Sequence, residues 1–373
     1  MKRYIALDVL RGLTVAMMIL VNNPGSWSKI FPPLRHAAWD GCTPCDLVFP
    51  FFLFCVGVSM AFSLAKYTSV TREASWKILK RGVLLYLTGL LLTAYPFYPA
   101  RMNHDMTLWQ NYAHWLGNLR LTGILSRIAM CYVLGSFLAL WLRSGKKIMG
   151  AVGVLCALHV GLLLLFAGPE GAFSLEGNFG RAFDNAIFGE SHVYHGYTNA
   201  EGQVVPFDPE GIFGALTGTC TVLLGFLIGG LIRSSAARQY ELVSKIYTWA
   251  AVSLAVSMIL SIWIPINKSL WSASYVFHAG GWAMLVLAFL IYLIDIKGLE
   301  KPFFPFKALG MNPLAMFVFS GVLAKSLSCF LHWDSTVLFG ANEWTSLLYA
   351  VLFVLVHLAL AVLLYKKKIF IKL

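Results

Sequence analysis

The feature that most constrains this chain is a succession of apolar stretches, each about as long as a bilayer is thick. A hydrocarbon core of roughly 30 Å takes about 20 residues of α-helix, and on that ruler the 373 residues hold about ten stretches. They run near 5–23, 46–66, 76–96, 121–142, 147–167, 212–232, 244–264, 273–294, 311–331 and 345–365. None alternates with period two, which argues against a transmembrane barrel. With 58% hydrophobic and only 12% charged residues, the chain has too little polar surface to cover a water-soluble globule. The expected fold is all-α: a polytopic integral membrane protein of about ten transmembrane helices, forming one domain over 1–373. The first stretch lacks a small-x-small site after its apolar run and is expected to be retained rather than cleaved.

A net charge of +12 could suggest a nucleic-acid partner, but the placement of the charges says otherwise. With these spans, Lys2, Arg3, Lys66, Arg72, Lys77, Lys80, Arg81, Arg143, Lys146, Lys147, Arg233, Arg238 and Lys245 share one side with Lys297, Lys301, Lys307 and the tail lysines up to Lys372. Roughly 20 of the 29 basic residues lie there, and such an excess marks the cytoplasmic face. Both termini are then cytoplasmic, which requires an even number of spans. The loops at 24–45, 97–120, 168–211, 265–272 and 332–344 face outward.

One of those loops is chemically unusual. Between Val21 and Pro50 the chain is polar and broken by Pro and Gly, and it gathers His36, Asp40 and Asp46 within about a dozen residues; such loops carry function more often than packing. Imidazole has an unperturbed pKa of about 6.5, which suits a base near neutral pH. Either Asp46 or Asp40 can hold its tautomer. The same loop carries Cys42-Thr-Pro-Cys45, read as a disulfide or as two incidental thiols, since a redox C-x-x-C would need a βαβ context absent here. In the first span Asp8 and Arg11 lie three residues apart on one face, as an ion pair between helices or as ligands. Asn22 and Asn23 follow where that span leaves the membrane, able to cap the turn or to donate to a substrate carbonyl.

The run LDVLRG, then VN, RHAAWDG and DLVFPFFLF, resembles the heparan-α-glucosaminide N-acetyltransferase family, within a wider group of membrane acyltransferases. The resemblance continues through LRLTGILSRIAMCY (119–132), GNFGRAFDNAIFGESHVY (177–194), FDPEGIFGAL (207–216), PINKSLWSASYV (265–276) and DIKGL with GMNPLAMFV (295–318), covering most of the chain. It implies transfer of an acetyl group from cytosolic acetyl-coenzyme A to the amino group of a terminal glucosamine on the far side of the membrane. His36 falls on the family's catalytic histidine, Asn22 on its active-site asparagine, and Asp46 on the acidic residue opening D-L-V-F-P. Trp39, Asp40 and Asn23 stand beside them as substrate-side residues. Dimerisation is implied by the resemblance alone, and the compact chain points to a bacterial cytoplasmic membrane.

A protonated amine is no nucleophile, so acetyl transfer from a thioester needs a base. His36 can be that base, or can attack the thioester and carry the acetyl group itself. An Asn amide can donate to the oxyanion. Arg127, inside a span, must find an anion or a carbonyl, and with Lys325 is read as a ligand of the coenzyme's phosphates or as the partner of a buried carboxylate. The segment 168–211 reads as a long structureless substrate rim, with Asp184, His192, Asp208 and Glu210 among its acids and histidines; Asp208 and Glu210 serve equally well as a helix cap. Asn312, before Pro313, reads as an N-cap or a coenzyme ligand. No metal-binding or nucleotide-hydrolysis motif is present, and no metal is expected. The rival readings are an O-acyltransferase of envelope glycans and a transporter or flippase of sugars or lipid-linked glycans.

Overall fold

The computed structural model describes residues 4–99, 102–234 and 239–371. Lys2, Arg3, Arg238 and Lys372, used above in the charge count, lie outside the described residues. The described chain is predominantly helical, and in lipid a helix satisfies its backbone groups within its own segment. Among the described residues, nine helices are long and apolar enough to cross a membrane: α1 (Ile5–Asn22), α2 (Val48–Ser63, extended by a 3-10 turn at Pro44–Leu47), α5 (Ile124–Leu142), α6 (Gly145–Leu165), α8 (Ala215–Ser234), α9 (Gln239–Leu260), α10 (Ala273–Leu290, continuing as a π-helical turn to Ile296), α12 (Pro313–Phe330) and α14 (Glu343–Lys366).

The tenth expected span, 76–96, is α3 (Arg72–Ala94), which is long enough but carries Arg72, Glu73, Lys77, Lys80 and Arg81 in its first half. It nevertheless runs antiparallel along α5: a Cβ at Gly82 would meet Val133, and one at Gly89 would meet Leu125. Arg81 lies over the ring of Tyr132 on α5, so part of the charge is covered by packing.

Shorter elements occupy the loops. The stretch 97–120, expected to lack helical order, holds α4 (Leu108–Gly117), started by a reciprocal Thr107–Gln110 capping box. The rim 168–211 is not structureless. Asn178 caps α7 (Phe179–Phe188), and a two-stranded hairpin pairs β1 (Tyr197–Thr198) with β2 (Val204–Val205), its turn closed by the Asn199 carboxamide accepting from the backbone of Glu201 and Gln203. Two short helices complete the set, α11 (Phe304–Gly310) and α13 (Ser335–Phe339).

The bundle is organised around α2 and α8, in each of which 72% of the spanning residues are buried, against 11% in α12. Their closeness depends on glycine: a Cβ at Gly57 would sit 1.9 Å from the carbonyl oxygen of Val222, and one at Gly225 would sit 2.1 Å from that of Phe54. Helices in lipid gain little from apolar burial and associate through such backbone-to-backbone packing. Elsewhere, polar side chains tie ends together. Asp295 accepts from the first amides of α1, and the Asn312 amide joins the tail through Ile369 and Ile371 instead of capping α12, because its carbonyl is already taken by the Ile371 amide. Lys325 donates to three carbonyls ending α3, at Leu92, Thr93 and Tyr95, which accounts for its charge without a ligand.

Replacing Gly225 by Val should cost about 2–3 kcal/mol by overpacking this contact. The check is thermal unfolding in detergent. Gly230→Ala, where a Cβ meets nothing within 4 Å on the same helix, should leave the midpoint unchanged.

Candidate active site

The end of α1, the loop before α2, the start of α5, the 194–210 segment and the 268–269 turn meet around a cavity of about 350 Å³. These are loops that the charge count places on one common side. A larger cavity of about 930 Å³ lies between α6, α8, α9 and α10, but its lining is apolar apart from Lys146 and Ser253, and the Ser253 hydroxyl is already given to the Phe277 carbonyl. The titratable side chains gather in the smaller one.

Its centre is His36, half-exposed, with Nδ1 2.7 Å from Asp46 Oδ1. Asp46 is buried, and a buried carboxylate persists only when donors surround it. Here they do: its Oδ2 accepts from the Ala37 and Thr43 amides at 3.1 and 3.0 Å and from the Thr43 hydroxyl at 3.1 Å. Tyr275 on α10 donates to the Asp46 carbonyl at 2.6 Å. An acceptor at Nδ1 places the ring proton there and leaves the Nε2 lone pair free.

The structure separates the paired alternatives left by the sequence. Asp46, not Asp40, touches the imidazole; Asp40 accepts from the Asn267 carboxamide at 3.1 Å. That contact, with a Gly41 amide donating to the Ile266 carbonyl at 2.7 Å, staples the His36 loop to the 264–272 turn. Asn22 lines the cavity, whereas Asn23 donates to Ile19 and closes α1. Trp39 forms a wall, its indole donating to the Phe173 carbonyl and its ring set edge-on against Tyr197 and Phe207. Cys42 and Cys45 are free thiols rather than a disulfide. Burial, with Asp46 nearby outweighing Lys268, pushes Cys42 up to about 12. Cys45 Sγ lies 3.3 Å from His36 Nδ1.

Opposite His36, Arg120 forms a fork to Asp208 at 2.7 and 2.6 Å and also reaches Glu210 at 2.5 Å, with its guanidinium over the Tyr194 ring. Thr122 donates to the same Asp208 carboxylate. Burial would raise the Asp208 carboxyl, but Arg120 and Thr122 outweigh it and hold it below the usual range. Asp208 is therefore an anchor, and Glu210 presents its side chain to the cavity.

Other expected site residues lie apart from it. Arg127 is buried beneath, donating to the carbonyls of Pro209 and Gly211 with its guanidinium over Trp271, so it takes the carbonyl option open to an intramembrane arginine. Asp184 accepts from the Phe213 amide, and His192 ties Leu119 and Leu121 to the rim. Asp8 and Arg11 face α11 and α2, where Arg11 also bonds the Gly310 carbonyl and Ser59. Among the described residues no group of His, Cys, Asp and Glu is arranged to hold a metal.

Two charged cavity residues escaped sequence reasoning: Arg120 and Lys268. Each stands in a block quoted above, LRLTG and PINKSLW, as a lone charge at an outer helix end, which is the signal that could have singled it out.

Residues 3–167 match the family model described as heparan-alpha-glucosaminide N-acetyltransferase, catalytic. The chain is similar to curated proteins named heparan-alpha-glucosaminide N-acetyltransferase. The human protein of that name is 26% identical over 366 residues, covering 84% of this chain and 52% of the relative; the mouse protein is 26% identical over 365, covering 85% and 53%. The chain thus spans about half the length of the curated relatives it matches. The family match contains Asn22, His36, Asp46 and Arg120, and ends before Glu210 and Lys268.

Asp184 gives a pH test of this end of the molecule. Burial pushes its carboxyl up to about 6, against the Phe213 amide and the nearby Arg127. A carboxyl raised on folding stabilises the fold when protonated; that contribution is complete below about 3.9 and is lost as pH rises through the folded value. Asp184→Asn should therefore gain on the wild type by on the order of 2 kcal/mol between pH ~4 and ~7. Paired thermal unfolding curves across that range would show it, and parallel curves would refute it.

Proposed function

We propose that the chain is a transmembrane acyltransferase that moves an acetyl group from cytosolic acetyl-coenzyme A to the amino group of a terminal glucosamine, or a related amino sugar, on the outer side of the membrane. The observation that carries this is the His36–Asp46 pair inside an aromatic-walled cavity, in a segment matching the acetyltransferase family. The names of the human and mouse relatives supply the acceptor class.

The cavity offers groups for three of the tasks in acyl transfer: a base, an oxyanion donor and a platform for the acceptor. Asp46 holds Nδ1, so Nε2 is the basic atom, whether it takes the proton from the attacking amine or attacks the thioester first. Asn22, exposed at the end of α1 and without a side-chain partner among the described residues, has its amide free to donate to the carbonyl oxygen as negative charge develops there. Trp39, Tyr194 and Tyr197 offer faces for a sugar ring, and Glu210 offers a carboxylate for its amine or hydroxyls. The chain lies in a bacterial cytoplasmic membrane with this cavity facing outward.

Purified protein, labelled acetyl-coenzyme A and a β-glucosaminide test the reading. The wild type should form N-acetylated product and His36→Ala none. Asp46→Asn, which disturbs the tautomer while leaving most of the space filled, should lower kcat by about 10³-fold or more. Full activity of His36→Ala would remove the mechanism.

A further inference from the structure

We propose that Lys268 is a second catalytic residue of this cavity: its ammonium meets the negative charge that develops on the thioester oxygen and sulfur, and it disfavours a second positive charge on the imidazole it touches. The proposal rests on the acetyl-transfer reading above.

Lys268 Nζ lies 3.2 Å from His36 Nδ1 and 3.3 Å from Nε2. An atom in the ring plane that close to both nitrogens would overlap the carbon between them, so the ammonium lies against the face of the ring. It does not occupy the Nε2 lone pair, which stays open to the cavity. Asp46 Oδ1 is 3.8 Å away, a secondary contact for a carboxylate already filled by His36, two amides and a hydroxyl. Lys268 is thus not needed to satisfy Asp46. Its side chain is only 18% exposed and is carried on a turn that holds it in place. In that turn the Leu270 amide donates to Asn267 Oδ1, Ser272 donates to the Pro265 carbonyl, and Asn267 is tied to Asp40.

The charges around His36 point the same way. Asp46, Cys45 and Lys268 touch the ring, while Arg120, Glu210 and Tyr197 line the opposite side. Arg120 is occupied by Asp208 and Glu210, which leaves Lys268 as the cavity cation with hydrogen-bond capacity to spare. One carboxylate and one ammonium flank the imidazole, and a proton on His36 would set two cations in contact against one carboxylate.

In the transfer, the amine nitrogen bonds to the thioester carbon, and its proton passes to His36 Nε2. The oxyanion then collapses, the C–S bond breaks, and its electron pair leaves with sulfur as the coenzyme A thiolate. Lys268 neutralises first the oxyanion and then the thiolate, and its repulsion of the imidazolium drives that proton on to sulfur. Amide and free thiol are the products, and His36 returns neutral.

The test uses the full chain in nanodiscs: wild type, Lys268→Gln, Lys268→Met and Lys268→Arg. Both neutral variants should lose about 10²-fold in kcat with KM for acetyl-coenzyme A changed less than about threefold. The acid limb of their pH–rate profiles should move to higher pH, because removing a cation favours protonated His36. Lys268→Arg should keep the wild-type limb. In parallel, carbethoxylation of His36 by diethyl pyrocarbonate, followed by peptide mass spectrometry against pH, reads its protonation without turnover, and its midpoint should rise in the neutral variants alone. A merely structural lysine would lower activity in step with the folded fraction and leave limb and midpoint in place; that result overturns the proposal. If the wild type transfers no acetyl group, the acetyl-transfer reading falls, while the carbethoxylation curves still decide whether Lys268 controls His36.

Discussion

The outer end of this protein is built around one buried negative charge. An ionised carboxylate away from water is expensive unless hydrogen bonds surround it, and Asp46, 1% exposed, answers that by folding the chain from Ala37 to Thr43 back upon itself. The same wrapping turns the His36 ring so that one nitrogen meets the carboxylate. Because the Asp46 carbonyl also takes the Tyr275 hydroxyl, the loop is fastened to α10 as well as to α2, which it leads into. The orientation of the His36 ring and the solvation of a single charge are one arrangement.

Around this core the site is assembled from segments that contribute little alone. The 264–272 turn is held to the histidine loop by the Gly41–Ile266 and Asp40–Asn267 contacts, and the 119–122 segment is held to the 207–211 segment by the Arg120–Asp208 fork. Those segments hang from helices whose separation is set by glycine contacts such as Gly57 and Gly225, where backbones approach without side chains between them. Displacing α2 against α8 would therefore carry the His36–Asp46 loop, which leads into α2, away from Pro209 and Glu210, which precede α8, so helix packing and site geometry are coupled.

What the sequence discloses follows from the range of the interactions involved. The all-α membrane fold is legible because lipid imposes the same requirement on every span, and apolar length records it residue by residue. α3 is harder, since its charges lie on a helix whose apolar half alone would not span; only its antiparallel packing on α5 shows the full length. His36 and Asp46 are legible because they lie ten residues apart in one loop. The choice between Asn22 and Asn23 turns on about 100° of helix rotation, which adjacent positions in a sequence do not display. Lys268 is 232 positions from His36, and Arg120 is 88 from Asp208. No local pattern encodes contacts of that range, and the same distance explains why Arg127 and Asn312 read as ligands when their polar atoms tie backbone segments together.

The two cations of the cavity show how partners, rather than residue type, divide the labour. Arg120 presents a planar fork and is matched by two carboxylates, so its charge is spent on holding Asp208 and on aiming Glu210 at the cavity. Lys268, a point charge on a flexible stem, faces a carboxylate that other donors have already filled. The cavity is consequently polarised: an acidic wall at Glu210 suited to an amine, and a basic corner at Lys268 suited to a thioester oxygen, with His36 beside that corner. An amine that has given its ammonium proton to solvent then gives up one further proton, to His36, as it attacks beside that corner. In acetyl transfer that ordering places the proton acceptor where negative charge will next appear.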